Sequence, residues 1–362
     1  MEELKKVRKI ISEIDAEMAK LFEERMRCTE AVADYKSEHG LSIKDTVREA
    51  ELIEKNRKLI SDPLIEEYYI SFLKNTMELS CQYQSRLLKG MKVSYCGVEG
   101  AFADIASRKM FPSSEHIAYP SFTEAYAAVE NGKCDCAVLP LENSYAGEVG
   151  AVMDLVFSGG LYINQVIDLP ITHNLISTED STADKITTVV SHPQALQQCA
   201  GYIAKHGLKT IAYSNTAAAA EYVKNSGDPT LAAIASEDTA SVYGMKILVS
   251  GINDSKNNST RFAALSKAQN KPAVPAKDDN FILVFTVKNE AGALAQILNI
   301  LGAHGYNMRN LRSRPMKELQ WNYFFYIEAE GNINCENGED MLREMSALCA
   351  KLKLVGTYSD NR

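Results

Sequence analysis

Residues 4 to 35 carry an apolar repeat at alternating three- and four-residue spacing: Leu4, Val7, Ile11, Ile14, Met18, Leu21, Arg25, Cys28, Val32 and Tyr35. Such a seam specifies one long helix. A helix from about residue 3 to 38 would be roughly 54 Å long at about 1.5 Å per residue, too long to pack only against its own short domain. The pattern therefore predicts pairing with a second chain. His39-Gly40 ends the helix, Asp45 can cap a second one to about residue 60, and Asp62-Pro63 opens a third that runs to about Leu88. Residues 1–90 are expected to form an all-α, three-helix, dimeric domain.

From Lys92 the period changes to short apolar strands alternating with helices: KVSYCG, CDCAVLP, LYINQVI, ITTVVSH, KTIAYS, LAAIAS and KILVSGI. This reads as an α/β domain over 91–268. The segment KAQNKPAVPAKDDN, rich in lysine and proline, is a linker. Residues 279–362 then read βαββαβ, an α+β ferredoxin-like order: strands at FILVFTVK, YNMRNLRSR, WNYFFYIEAE and LVGTYS, helices at GALAQILNILGAHG and GEDMLREMSALCAKL. Three domains suit 362 residues, and 46% hydrophobic against 24% charged residues can bury a core in each.

A net charge of −8, from 39 Lys and Arg against 47 Asp and Glu, argues against nucleic-acid or anionic-membrane partners. The amino terminus MEELKKVRKIISEIDAEM has no apolar signal core, and no stretch is long enough to span a bilayer, so a cytoplasmic location is expected. The eight cysteines are scattered, and Cys134 and Cys136 sit in an apolar run without zinc or redox spacing; no metal is expected. Gly159-Gly160 lacks a GxGxxG context, so no nucleotide cofactor is expected either.

Arg25 interrupts the apolar seam, and a buried guanidinium needs an anion. A core glutamate and an anionic ligand both satisfy that need. Lys36, three turns on, projects from nearly the same face, whereas Arg8 is rotated by about 260° and would more easily reach a site on a partner chain. Ser80 and Gln84 stand at i and i+4 on the third helix. In order and nearly in spacing, with a one-residue shift on the third helix, Arg8, Arg25, Lys36, Asp45, Arg48, Glu49, Ser80 and Gln84 resemble the functional set of the all-helical chorismate mutases. The resemblance implies an intertwined dimer that rearranges chorismate to prephenate. Arg25 and the partner's Arg8 would hold the two carboxylates, and Lys36 and Gln84 would donate to the ether oxygen. Glu49, with the backbone near Asp45, would take the ring hydroxyl, while Arg48 and Ser80 complete the shell.

In the central segment LENSYAG (141–147), SHPQALQQC (191–199) and STRF (259–262) are polar strings at strand ends, where ligands collect in open α/β sheets. Singly they read as a turn at Glu142-Asn143, an N-cap serine before His192-Pro193 and a threonine in an edge strand. Together, over residues 92–266, they resemble the prephenate dehydratases. That family implies two lobes about a cleft, like a periplasmic binding protein, and a reaction needing no metal or organic cofactor. Thr260 would supply or relay a proton to the leaving hydroxyl, Glu142, Asn143, Ser191 and Gln198 would position prephenate, and Arg261 would support charge. A threonine is a poor acid, so its proton must be coupled to the leaving group or to a neighbour. The first turn, GVEG (97–100), departs from the family, in which a proline usually follows the first glycine.

The last segment resembles ACT domains, amino-acid sensors. Gly292, Ala293 and Leu294 open its first helix, where a glycine lets backbone amides approach a ligand, and Ser313 and Arg314 belong to a second family string. The resemblance implies phenylalanine as effector at these five residues. Arg312 stands where the family has a glutamate, which reverses a charge near the expected site. The order of the three segments resembles the bifunctional mutase-dehydratases of phenylalanine biosynthesis. The rival reading is a non-catalytic sensor with a helical dimerisation arm; Lys36, Glu49 and Thr260 argue against it, since binding a dicarboxylate requires no proton donor.

Overall fold

The three-four repeat folds as one helix, α1 (Glu2–Glu38). In the computed structural model, which describes residues 2–39, 41–269, 279–315 and 323–359, α1 is followed by α2 (Thr46–Arg57) and α3 (Pro63–Lys89). Asp45 caps α2 by accepting from the Arg48 amide (2.9 Å), and Asp62 caps α3 by accepting from the Leu64 amide (2.9 Å), with Pro63 in the first turn, where its missing N–H costs nothing. Residues 1–91 form one compact unit and 92–362 a second. In the first, α3 packs against both other helices, but α1 buries only Thr29 and Ala33, near its carboxyl end. The seam from Leu4 to Leu21 stays exposed.

The second unit begins β1 (Lys92–Cys96), α4 (Phe102–Met110), β2 (Glu115–Tyr119), α5 (Phe122–Glu130), β3 (Cys136–Asn143), β4 (Gly147–Glu148), α6 (Gly150–Ser158) and β5 (Tyr162–Pro170). The chain then crosses to a second sheet. Its elements are β6 (Asn174–Ser177), β7 (Thr188–Ser191), α7 (Pro193–Gln198), α8 (Ala200–Lys205), β8 (Lys209–Ala212), α9 (Thr216–Ser226), β9 (Leu231–Ala235), α10 (Glu237–Tyr243) and β10 (Lys246–Val249). It returns to the first sheet as β11 (Ser259–Ser266). The second sheet runs β10-β6-β9-β7-β8 with an apolar cluster on each face.

Two segments, 171–173 outward and 250–258 on the return, therefore join the lobes. They are laced together: the Ile171 amide donates to the Asn258 carbonyl (2.8 Å), the Ile252 amide to the His173 carbonyl (2.9 Å), and the Asn253 side chain accepts from the His173 amide (2.6 Å) while donating to the Ile171 carbonyl (3.0 Å).

The last elements are β12 (Asp279–Val287), α11 (Ala293–Ala303), β13 (Asn307–Pro315), β14 (Tyr323–Glu330), α12 (Glu336–Leu348) and β15 (Cys349–Ser359). Their strands lie in the order β13-β14-β12-β15, the arrangement of a split βαββαβ module. The predicted linker lies mostly outside the described residues; its last two, Asp279 and Asn280, are buried in β12. Trp321 and Asn322, read as the start of β14, also lie outside them.

The first sheet does not end with the central segment. β15 pairs with β5 at Gly356 and Ile163, giving one continuous order β13-β14-β12-β15-β5-β11-β3-β1-β2. A side chain on Gly356 would strike the Ile163 carbonyl, so the join requires glycine there. One core cluster spans the join, with Leu139, Val166 and Leu265 on one side and Ile282, Val284 and Val355 on the other. The sequence treats these as separate domains, whereas here they share a sheet and a core.

Candidate functional site

The carboxyl half of α1, with α2 and α3, encloses a cavity of about 180 Å³ lined by Arg25, Lys36, Asp45, Arg48, Glu49, Ser80 and Gln84 among others. Seven of the eight residues singled out in the helical segment thus meet at one place. Arg25 donates to the Ser80 hydroxyl and to the Thr76 carbonyl (3.4 Å). These acceptors are neutral, so no core glutamate has consumed its charge. Lys36 donates to the Ile43 carbonyl. Glu49 lies 3.9 Å from the Cys81 sulfur, and burial, aided by that carboxylate, raises the Cys81 pKa and keeps the thiol protonated. The Gln84 amide nitrogen donates to the Ser80 carbonyl (3.3 Å), while its oxygen is buried without a partner among the described residues. Arg8 does not line the cavity; it lies on the exposed amino half of α1. Thr29, Leu52, Met77 and Cys81 complete the wall and were not singled out in the sequence, where they read as ordinary helix positions.

In the second unit β11 runs antiparallel to β3, with Thr260 opposite Asn143 and Arg261 opposite Glu142. Successive side chains on a strand point to opposite faces. Thr260 and Asn143 therefore share one face, and Arg261 and Glu142 the other.

On the first face the Asn143 carboxamide is fixed by the backbone. Its oxygen accepts from the amides of Tyr145 (3.0 Å) and Ala146 (2.9 Å), which can only donate, so its nitrogen must face the other way. The two hydrogens of that nitrogen are shared among three acceptors: the Thr260 hydroxyl oxygen (2.8 Å), the Ser259 carbonyl (3.0 Å) and the Asn258 side-chain oxygen (3.0 Å). Thr260 is the acceptor in this bond, and its own hydrogen remains uncommitted among the described residues. Gln198 joins the cluster from α7, accepting from the Asn258 amide (3.0 Å). Ser191 does not join it: its hydroxyl is buried and donates to the Ile234 carbonyl (2.6 Å). His192, not Ser191, caps α7, accepting from the Gln194 amide (3.3 Å).

The second face is a charge cluster against the last domain. Arg261 grips Glu328 of β14 with two bonds (2.8 and 2.7 Å) and reaches the Tyr358 hydroxyl (2.6 Å). Glu328 is 1% exposed. Burial and the Glu328 charge push the Tyr358 pKa up, so its hydroxyl stays protonated and donates to Glu328. Arg312 pairs with Glu142 and with Glu148 (3.5 Å), and Arg314 with Glu148 and Asp154 (3.2 Å). Gly150 makes room for the Arg314 guanidinium, which any β-carbon there would strike. Glu142, expected to position prephenate, and Arg261, expected to support charge, face away from Thr260 in this register. The alternation of strand residues, read within the ENS and TRF strings, already separates the pairs. Of the residues expected at the effector site, Gly292 opens α11 in the left-handed region (φ +86°), followed by Ala293 and Leu294 in the helix, and Ser313 sits in the β13 ladder opposite Phe325. Arg314 faces the dehydratase-like carboxylates instead.

Comparison with known proteins follows the same division. The family models described as chorismate mutase type II, prephenate dehydratase and ACT domain match residues 7–85, 93–270 and 281–334. A bifunctional chorismate mutase/prephenate dehydratase of Aquifex aeolicus (strain VF5) is 32% identical over 99% of this chain and 98% of its own. The chain belongs to the bifunctional chorismate mutase/prephenate dehydratase family. As a member it is an enzyme of phenylalanine biosynthesis with both activities on one polypeptide, and the sensor reading is not favoured. Among solved structures, the prephenate dehydratase of Arthrobacter aurescens in complex with L-Phe is 26% identical (TM-score 0.69; 74% of this chain, 90% of that one). GqqA, described as a novel type of quorum-quenching acylase, is 29% identical (TM-score 0.69; 75% and 98%).

Proposed function

We propose that the helical cavity holds chorismate in its reactive conformer and that the Thr260 face of β11 performs the loss of water and carbon dioxide from prephenate. Chorismate rearranges by a pericyclic shift, so the protein makes no bond and must only orient the substrate and stabilise charge on the breaking ether. Arg25 takes one carboxylate, Lys36 and the second N–H of Gln84 donate to the ether oxygen, and Glu49, with the backbone at Asp45, takes the ring hydroxyl. Arg48 and Ser80 close the wall. The other carboxylate falls to the partner's Arg8. The exposed seam from Leu4 to Leu21 supports an intertwined homodimer, as an apolar stripe of that length has no cover within its own unit.

For prephenate, the ring hydroxyl must leave with a proton while the bond to the ring carboxylate releases its electrons into the ring and carbon dioxide departs. The observation that carries this reading is the Asn143–Thr260 bond: by donating to Thr260, Asn143 leaves the threonine hydrogen free to point at the departing hydroxyl. Asn143 and Gln198 position the substrate from either side of a two-lobed cleft of the periplasmic-binding-protein kind. Glu142, Ser191 and Arg261 act through structure in this reading: Ser191 ties the end of β7 to β9, and Glu142 and Arg261 hold the ferredoxin-like ACT module. Phenylalanine is the effector of that module, bound near Gly292, Ala293, Leu294 and Ser313, and the enzyme works in the cytoplasm.

Supplying purified enzyme with chorismate alone and prephenate alone, and identifying products, tests the scheme. Phenylpyruvate is expected from both; prephenate accumulating without phenylpyruvate would refute the assignment at Thr260. Mixing Arg8→Ala chains with Lys36→Ala chains is expected to restore up to one mutase site per heterodimer, and no recovery after verified subunit exchange would refute the partner role of Arg8.

A further inference from the structure

The chain of side chains that ends at Thr260 begins at a residue with no part in the scheme above. His173 is 2% exposed, lies in the outward crossing between the lobes, and stands edge-on to the Phe102 ring at 5.7 Å. Its Nε2 is 2.8 Å from the Gln198 side-chain oxygen. The direction of every bond in the series follows from one end. The amides of Tyr145 and Ala146 fix Asn143, so Asn143 donates to the Asn258 oxygen; Asn258 must then donate to the Gln198 oxygen, and His173 must donate to that same oxygen. The imidazole is thereby the Nε2–H tautomer. Burial lowers its pKa, opposed only by the bond to Gln198, which keeps the ring neutral.

We infer that His173 is a positioning residue of the dehydratase site, which by donating to the Gln198 oxygen leaves the Gln198 amide nitrogen as the donor offered to substrate and sets Asn258, Asn143 and Thr260 in register across the two lobes. Gln198 is 5% exposed, and its amide nitrogen has no partner among the described residues, which is costly for a buried donor unless a ligand completes it. Without His173 the carboxamide loses one of the two donors that hold its oxygen, and its flipped state becomes accessible. The series also spans the whole cleft: Gln198 comes from the second lobe, His173 and Asn258 from the two crossings, Asn143 and Thr260 from the first lobe. A displacement of one lobe against the other must therefore strain it, so the Thr260 hydroxyl is aligned in one relative position of the lobes.

This inference rests on the assignment of Thr260, and the experiment separates the two. The full-length enzyme is assayed for prephenate turnover as wild type, His173→Leu, His173→Gln and Thr260→Ala, with the denaturant-unfolding midpoint of the second unit as the measure of its folding and chorismate turnover in the same preparations as an internal control. His173→Gln restores an N–H near the Nε2 position, whereas leucine has none. His173→Leu is expected to lower kcat about tenfold and raise KM about threefold, with mutase activity unchanged and His173→Gln within about threefold of wild type. Should the leucine variant prove insoluble, His173→Asn, whose shorter amide does not reach Gln198, is expected to show the same loss. Wild-type kinetics in the leucine or asparagine variant would overturn the proposal, as would equal loss in the glutamine variant, since a role in packing alone is not rescued by a donor. Full activity in Thr260→Ala would overturn the underlying assignment and this route with it.

Discussion

The two sites proposed for this enzyme are built from opposite materials. The mutase cavity gathers three cations, Arg25, Lys36 and Arg48, and two carboxylates, Asp45 and Glu49, on rigid helices. The proposed dehydratase face holds amides, an imidazole and a hydroxyl in a directional series, while Glu142 and Arg261 are turned to the other face of the same strands. The difference follows from what each reaction asks. A pericyclic shift of a dianion needs an electrostatic mould, and charges supply that at any orientation. A dehydration needs one hydrogen at one atom, and neutral groups whose donors and acceptors are fixed by their neighbours supply that without attracting the carboxylate that must leave.

The sharpest way to break the comparison is at the single hydroxyl. Thr260→Ala is expected to lower phenylpyruvate formation from prephenate by at least about 100-fold while chorismate conversion stays within twofold; loss of both together would show that the sites are not independent. Lys36→Ala is the mirror experiment. It is expected to lower chorismate turnover by about 100-fold or more with prephenate turnover intact, read by the same two assays. Arg261→Leu probes the charged face. It leaves the buried Glu328 without its counter-charge and is expected to cost about 3–5 kcal/mol, seen as a lower midpoint in denaturant unfolding of the second unit. Its effect on KM for prephenate is expected to be small, and a large rise would return Arg261 to the substrate. The smallest effect is expected at Asp62→Ala, which removes the cap of α3 about five turns along that helix from Ser80 and should cost about 1 kcal/mol with both activities preserved.

The helical site was legible because its residues recur at helical spacing on elements whose caps are explicit: Asp45 and Asp62-Pro63 mark the starts of α2 and α3, and the seam around Arg25 and Lys36 fixes their common face. The order of the last domain was legible for the same kind of reason. Other parts were not. The strands Glu115–Tyr119 and Asn174–Ser177 are short and were not read, and Cys349–Leu352 read as helix although pairing with β12 draws it into β15. Local propensity gives way there to a tertiary partner. The strings ENS and TRF marked the right strands but were read as units, which hid the fact that their neighbouring residues face apart. His173 had no local signal at all, since its role depends on Gln198, Asn258 and Asn143 arriving from three other segments. Arg312, which looked in the sequence like a disturbance of an effector site, is placed by the fold against Glu142 and Glu148.

The join at Gly356 has a mechanical consequence. Because β15 lies directly on β5, the sensor module and the first lobe form one stiff plate, and the hinge of the molecule is elsewhere, in the two laced crossings at 171–173 and 250–258. An amino acid captured by the sensor has no slack to take up within that plate. Whatever it changes reaches the second lobe through those crossings and through α10, where the Thr239 hydroxyl donates to the Gly100 carbonyl (2.7 Å).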